Sequence, residues 1–176
     1  REARIADWVE ARCRSRVGPA KVHRVGHSVV CDPYAGDPAA PGTTVALVGH
    51  LDTVKCAEDQ DYAIREGRVY GCGASDMKAG VAVMLALLDR WRELRGPRPV
   101  WIFYDKEEGP HEENGLEPVL RSGVLPPLDL AFVLTNPGDR DLSIGRPATN
   151  GRPGAGYGAF FCGAPKEAEP PTPFSG

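Results

Sequence analysis

The sequence lacks any apolar stretch long enough to cross a bilayer. Its longest apolar runs, such as residues 81–88, fall far short of the ~20 residues that a membrane-spanning helix needs. It also lacks an excess of positive charge. With 21 Lys and Arg against 24 Asp and Glu, the net charge is −3, so nothing marks a nucleic-acid partner or an anionic membrane surface. No Cys-x-x-Cys spacing occurs among the five cysteines (Cys13, Cys31, Cys56, Cys72, Cys162), and the number is odd. Both features argue against a disulfide framework and lead us to expect free thiols in a reducing, cytoplasmic setting. Histidine is scarce as well, with four residues in the chain. No internal repeat is present, and the first residues are charged and amphipathic rather than leader-like.

What is present is an α/β pattern. Residues 1–16 place Ile5, Trp8, Val9 and Cys13 near a 3–4 spacing and are expected to form an amphipathic helix that ends at Gly18-Pro19. Residues 22–25 and 28–31 read as short strands, with Gly26-His27 between them as a hairpin turn or a bulge and His23 and His27 on their surface. A Pro- and Gly-rich loop leads to the apolar run at 45–48. A small hairpin at 63–70 turns at Glu66-Gly67. A helix is expected from about Met77 to Leu94, closed by Gly96-Pro97. Further apolar runs at 100–104 (VWIFY) and 130–134 (LAFVL) complete a strand–helix–strand–helix–strand order, with a short helix near 116–120. Nearly continuous apolar strands alternating with helices imply a mostly parallel sheet covered by helices on both faces, with functional residues at the strand C-termini. Residues 1–145 are read as one incomplete catalytic domain. Residues 146–176 carry six prolines, six glycines and little apolar periodicity, and are read as an unstructured tail.

The chemistry gathers at three places: VALVGHLDTV (45–54), GCGASDMKAG (71–80) and WIFYDKEEGP (101–110). His50 ends an apolar strand, and Asp52, two residues on, points the same way on an extended segment. Asp52 can then orient the imidazole while its other nitrogen binds a metal. Asp76 enters a helix from a Gly-rich turn and could bridge two ions. Glu107 and Glu108 follow the VWIFY strand, and adjacent carboxylates there can divide two roles, metal ligand and general base. Each feature also has a plain structural reading: a strand-end His bonded to its neighbour, a helix N-cap at Asp76, an acidic surface loop at 105–114. Lys78, His111, Glu112 and Glu113 read as solvated.

As an ordered set these motifs resemble the zinc-dependent aminoacylase/carboxypeptidase family of two-metal hydrolases, most closely its succinyl-diaminopimelate desuccinylase branch. The resemblance covers roughly residues 1–145 and rests on VALVGHLDTV, GRVYGCGASDMKAGVAVML and VWIFYDKEEGPHEENGL. It implies hydrolysis of N-succinyl-LL-2,6-diaminopimelate to succinate and LL-2,6-diaminopimelate, in lysine biosynthesis, or of another N-acyl amino acid such as N-acetylornithine. It implies two zinc ions, with cobalt as an alternative. His50 would bind the first, Asp76 would bridge, Glu108 would bind the second, Glu107 would be the base and Asp52 would orient His50. Where the family carries Glu-Pro-Thr after the third strand, this chain has LTNPGD, which leaves Asn136 or Thr135 in the place of the carboxylate ligand, with Asp139 as a substitute at a shifted position. No His follows His111, and the family's homodimerisation domain has no counterpart in residues 146–176. The expectation is therefore a truncated chain with an incomplete second site. Two readings stay open: a metal-dependent amidohydrolase, or a non-catalytic remnant that keeps part of a metal site.

Overall fold

The chain enters as helix α1 (Glu2–Val17), a stretch without Gly or Pro in which Ala6, Val9 and Cys13 fall on one stripe and are fully buried. Trp8, expected on that stripe, lies off it and is 59% exposed. Gly18 ends the helix at φ 95°, and Pro19 begins the next turn. These features come from a computed structural model that describes residues 2–56, 62–134 and 159–160.

Strands β1 (Val22–Val25) and β2 (Ser28–Cys31) form the expected hairpin, with Val25 opposite Ser28 across the Gly26-His27 turn. Strand β3 (Thr44–His50) follows. The small hairpin of β4 (Ala63–Arg65) and β5 (Arg68–Tyr70) forms a separate two-stranded sheet. Helix α2 (Ala79–Asp89), strand β6 (Arg98–Tyr104), helix α3 (Leu116–Arg121) and strand β7 (Leu130–Val133) complete the expected alternation. A two-residue strand β8 (Ala159–Phe160) pairs with β7. It falls inside the segment read as an unstructured tail, the rest of which lies outside the described residues.

The sheet order is β1-β2-β6-β3-β7-β8. β6, β3 and β7 are mutually parallel and form the core, whereas β1, β2 and β8 attach antiparallel at the flanks. The fold is thus α/β with a parallel centre, as the buried apolar strands implied. Side chains alternate across the sheet with the period of two that strands impose. Val29, Cys31, Trp101 and Phe103 face α1 and α2, while Val30, Ala46, Val48, Val100, Ile102 and Tyr104 face α3 and the segment after it. The Trp101 indole N–H donates to the Met84 carbonyl at 2.8 Å and anchors α2 to the sheet. β7 departs from expectation. Ala131 and Val133 pack on the α3 side, but Phe132, which points to the other face, is 42% exposed.

The register puts His50 level with Tyr104, and the Leu51 N–H continues the ladder to the Tyr104 carbonyl at 2.7 Å. Parallel strands that end together bring the segments after them side by side, which is how such sheets build sites. The segment after β6 is fixed by a buried contact: the Ser28 hydroxyl donates to Asp105 Oδ1 at 2.8 Å. Gly115 lies against this pair. A Cβ there would overlap Asp105 Oδ1 and would sit 2.8 Å from both the Asp105 carbonyl and the Ser28 hydroxyl oxygen. Gly115→Ala is therefore expected to cost about 1–3 kcal/mol, as overpacking of a filled site does. A urea melt checks this, and an unchanged midpoint would contradict the packing described.

Candidate metal site

β3 delivers His50 fully buried at its C-terminal end. The strand can approach α2 closely because residue 49 is Gly: a Cβ there would overlap Met77 Cε and come within 2.9 Å of Met84 Sδ. The His50 backbone N–H points to Met77 Sδ at 2.9 Å. Beyond His50 the chain stays extended, and Asp52 reaches back as the i, i+2 geometry requires, with Oδ1 3.3 Å from His50 Nδ1. The other Asp52 oxygen accepts the Glu108 backbone N–H at 2.9 Å. Burial alone would raise the Asp52 pKa. The imidazole and the backbone N–H groups of Glu108 and Glu107 outweigh it and hold the carboxyl at about 2.

The turn before α2 is not the capped helix start that Asp76 suggested. Residues Ala74–Lys78 form a π-type turn in which Asp76 and Met77 have non-helical backbones, and the peptide bond between them is cis. Helix α2 starts two residues later than expected, with Lys78 at its N-cap and no side chain capping it. Asp76 faces the site instead, with Oδ1 3.1 Å from His50 Nε2. The sequence could not reveal this, because a Gly-rich entry followed by Asp is the same whether the carboxylate turns to the helix or away from it.

From the loop after β6, Glu107 Oε2 comes within 3.9 Å of His50 Nε2. Glu108 brings a carboxylate oxygen into a group with His50 and Asp76 whose donor atoms all lie within 4.8 Å of one another. Burial, Glu107 and Asp76 together push the Glu108 pKa up, as crowded like charges must. Burial works to lower the His50 pKa, yet Asp52, Asp76 and Glu107 overcome it and raise it. His111, Glu112 and Glu113 are exposed, as expected, and Glu113 pairs with Lys106 at 2.9 Å. Asn136 and Asp139, the alternatives for a further ligand, lie outside the described residues.

Two sequence readings need correction. Lys78 is not a solvated first-turn residue. It is half-buried, and its ammonium donates to the backbone carbonyls of Leu51 at 2.7 Å and Asp52 at 2.8 Å. Backbone acceptors carry no signature in a sequence, so nothing could have foretold this. Nor are all the thiols free. Cys56 and Cys72 are disulfide-bonded, with Cα atoms 5.9 Å apart, although 16 residues separate them. They meet because the exit of β3 and the Gly-rich turn pack together. Cys13 and Cys31 are free and buried. The thiol pattern therefore no longer argues for a reducing compartment.

The donor set fits a divalent cation. With Nδ1–H directed to Asp52, the neutral ring turns the Nε2 lone pair toward an Asp76 oxygen 3.1 Å away. That juxtaposition is repulsive unless a proton or a metal ion stands between. Imidazole nitrogen and carboxylate oxygen are both donors that zinc accepts. A cavity of about 390 Å³ opens beside this group, lined on the protein side by Ile5, Asp52, Thr53, Lys55 and Lys78 and not by the three donors.

The profile of Peptidase family M20/M25/M40 matches residues 46–158, which include all of these groups. The chain belongs to that family. A Mycobacterium tuberculosis protein provisionally named succinyl-diaminopimelate desuccinylase DapE is 37% identical over 121 residues, covering 69% of this chain and 33% of that protein. The Corynebacterium glutamicum succinyl-diaminopimelate desuccinylase is 35% identical over 119 residues, covering 65% and 31%. The chain thus spans about a third of the length of these M20/M25/M40 relatives. Among solved structures, LapB from Legionella pneumophila aligns with 76% of this chain and 36% of its own at 16% identity and a TM-score of 0.47. Among the described residues no helix is long and apolar enough to cross a membrane.

The Asp52 contacts carry a pH prediction for the metal-free chain. Its carboxyl falls from 3.8 unfolded to about 2 folded, so its contribution of about 2 kcal/mol is complete above about pH 4 and is lost as pH falls through 2. Asp52→Asn is expected to remove that portion of the acid dependence. Urea melts of both forms between pH 2 and pH 6 check it, and identical acid limbs would contradict it.

Proposed function

We propose that this chain forms the metal-binding part of an amidohydrolase of the desuccinylase branch, acting on a small N-acyl amino acid, N-succinyl-LL-2,6-diaminopimelate in the first instance. The observation that carries the reading is the convergence of His50, Asp76 and Glu108 donors within 4.8 Å, on three separate segments that meet at the C-terminal ends of the central strands. The family match and the names of the relatives support the reaction class. We take zinc as the metal and Asp76 as the carboxylate with oxygens to spare for a second ion. His50 would hold the first ion and Glu108 the second, which leaves each, among the described residues, one short of the three protein ligands that a catalytic zinc ordinarily has.

When bound, the metal would polarise the scissile carbonyl and lower the pKa of water. The chain's own residues supply the rest. Asp52 holds the His50 ring so that Nε2 faces the site. Glu107 stands 3.9 Å from that nitrogen with its carboxylate one-third exposed, placed to take a proton from an attacking water and pass it to the leaving amine. Burial of His50 keeps the ring from swinging out of the site.

Zinc titration by calorimetry, paired with a succinyl-amide hydrolysis assay, tests the proposal. His50→Ala is expected to abolish tight zinc binding. Glu107→Gln is expected to keep the zinc while lowering any hydrolysis by about 10²–10⁴-fold, the share of a general base. Zinc binding that survives His50→Ala unchanged would overturn the assignment.

A further inference from the structure

The groups that converge on the site sit on segments that are not continuous in the chain. His50 and Asp52 belong to the exit of β3, and Asp76 belongs to the turn before α2. Besides the packing of Met77 under Gly49 and the His50 N–H, three ties join these segments. The Lys78 ammonium donates to the Leu51 and Asp52 carbonyls. Thr53 packs so tightly on Gly73, which has φ +74°, that a Cβ at residue 73 would overlap the Thr53 methyl. The third tie is Cys56–Cys72, four residues beyond His50's partner Asp52 on one side and four before Asp76 on the other. The first two ties are packing and hydrogen bonding and have no chemical off-state. The third has one.

We propose that Cys56–Cys72 is a redox modification site that sets the metal affinity of the His50–Asp76–Glu108 group, its co-reactant being a small dithiol or a dithiol protein. This rests on the metal reading above. Both cysteines are half-buried rather than enclosed, so a reductant can reach them. The exchange is the ordinary one. A reductant thiolate attacks one sulfur of the pair, the Cys56–Cys72 bond breaks and a mixed disulfide forms. The reductant's second thiol then displaces the remaining cysteine. Two electrons and two protons end on Cys56 and Cys72, and the dithiol leaves as a disulfide. Closed, the bond confines the exit of β3 and the Gly-rich turn to one arrangement, so Asp76 is presented to His50 without a search. Open, the two segments keep non-covalent contacts alone, among them those of Lys78, Thr53 and Met77. Losing a support of a metal ligand ordinarily costs about 10–100-fold in affinity. The pair also differs from Cys13 and Cys31, which are fully buried under α1 and out of a reductant's reach.

Cobalt(II) titration of the whole chain, followed by its visible absorption, tests the proposal in three forms: oxidised, reduced with dithiothreitol that is then removed under nitrogen, and Cys56→Ser/Cys72→Ser. Peptide mapping under non-reducing conditions first checks the cross-link itself. The oxidised chain is expected to bind cobalt at least about tenfold more tightly than the other two. Reoxidation should restore the affinity, and the tryptophan emission, to which buried Trp101 contributes, should stay constant throughout, marking an intact sheet. The serine variant guards against thiols that bind cobalt themselves, and reversible reduction guards against a variant that misfolds. Equal affinity in all three forms overturns the redox inference and leaves the metal site standing. Absence of the cross-link overturns it too, as does a thiolate-to-cobalt absorption band with tighter binding on reduction. No cobalt binding by the oxidised chain overturns both readings.

Discussion

The structure depends on one buried carboxylate. Asp52 faces the His50 imidazole with one oxygen and takes the Glu108 backbone N–H on the other, so a single side chain ties the end of β3 to the loop after β6. A carboxylate only 6% exposed would be costly without partners. It is tolerated because one oxygen accepts a backbone N–H while the other lies 3.3 Å from the imidazole, and the two partners come together because β3 and β6 are parallel and end at the same level. The sheet topology is thus a precondition of the site. A shift of the β3–β6 register would separate His50 from Glu107 and Glu108, and the antiparallel β2 supports the same loop through Ser28, which holds Asp105 at its start.

The second constraint is how closely α2 comes to the sheet. Gly49 leaves room for Met77 and Met84 beneath β3, and Gly80 fits so tightly that a Cβ there would overlap the Leu134 carbonyl. Met77 turns inward and is fully buried, and its neighbour Asp76 is left facing outward toward His50. The irregular backbone at Ala74–Lys78 resolves two demands made on adjacent residues, one apolar and one charged. A regular helical turn begun at Met77 would have had to place both on nearby directions of the same helix.

Much of this was legible in the sequence, for reasons that can be named. Apolar strands such as VWIFY carry their burial on their face, and the His50–Asp52 contact follows from strand geometry alone. Gly18-Pro19, Gly26-His27 and Glu66-Gly67 mark turns through their backbone preferences. What stayed hidden depended on tertiary placement. Trp8 looks apolar wherever it points, Phe132 lies on a strand only one face of which is covered, and Lys78 is satisfied by backbone carbonyls that every residue has. The Cys56–Cys72 pair has no spacing signal, since the two meet through the packing of two loops. Asp76 lay between: its presence was readable, and its orientation was not.

The electrostatics of the site argue for the occupant. Asp52, Asp76, Glu107 and Glu108 surround one imidazole. Lys78, the cation that feels Asp52, Asp76 and Glu108, has its ammonium directed at two carbonyls, which fixes the loop while neutralising the carboxylates only at a distance. Protonating His50 answers one of those charges, and its raised pKa is the mark of that demand. Burial, with Glu107 and Asp76 beside it, still raises the pKa of Glu108. A divalent ion answers both, since it lets the ring lose its proton and the carboxylates keep their charge. The crowding that makes the metal-free group costly is thus the same property that would make it a strong ligand set.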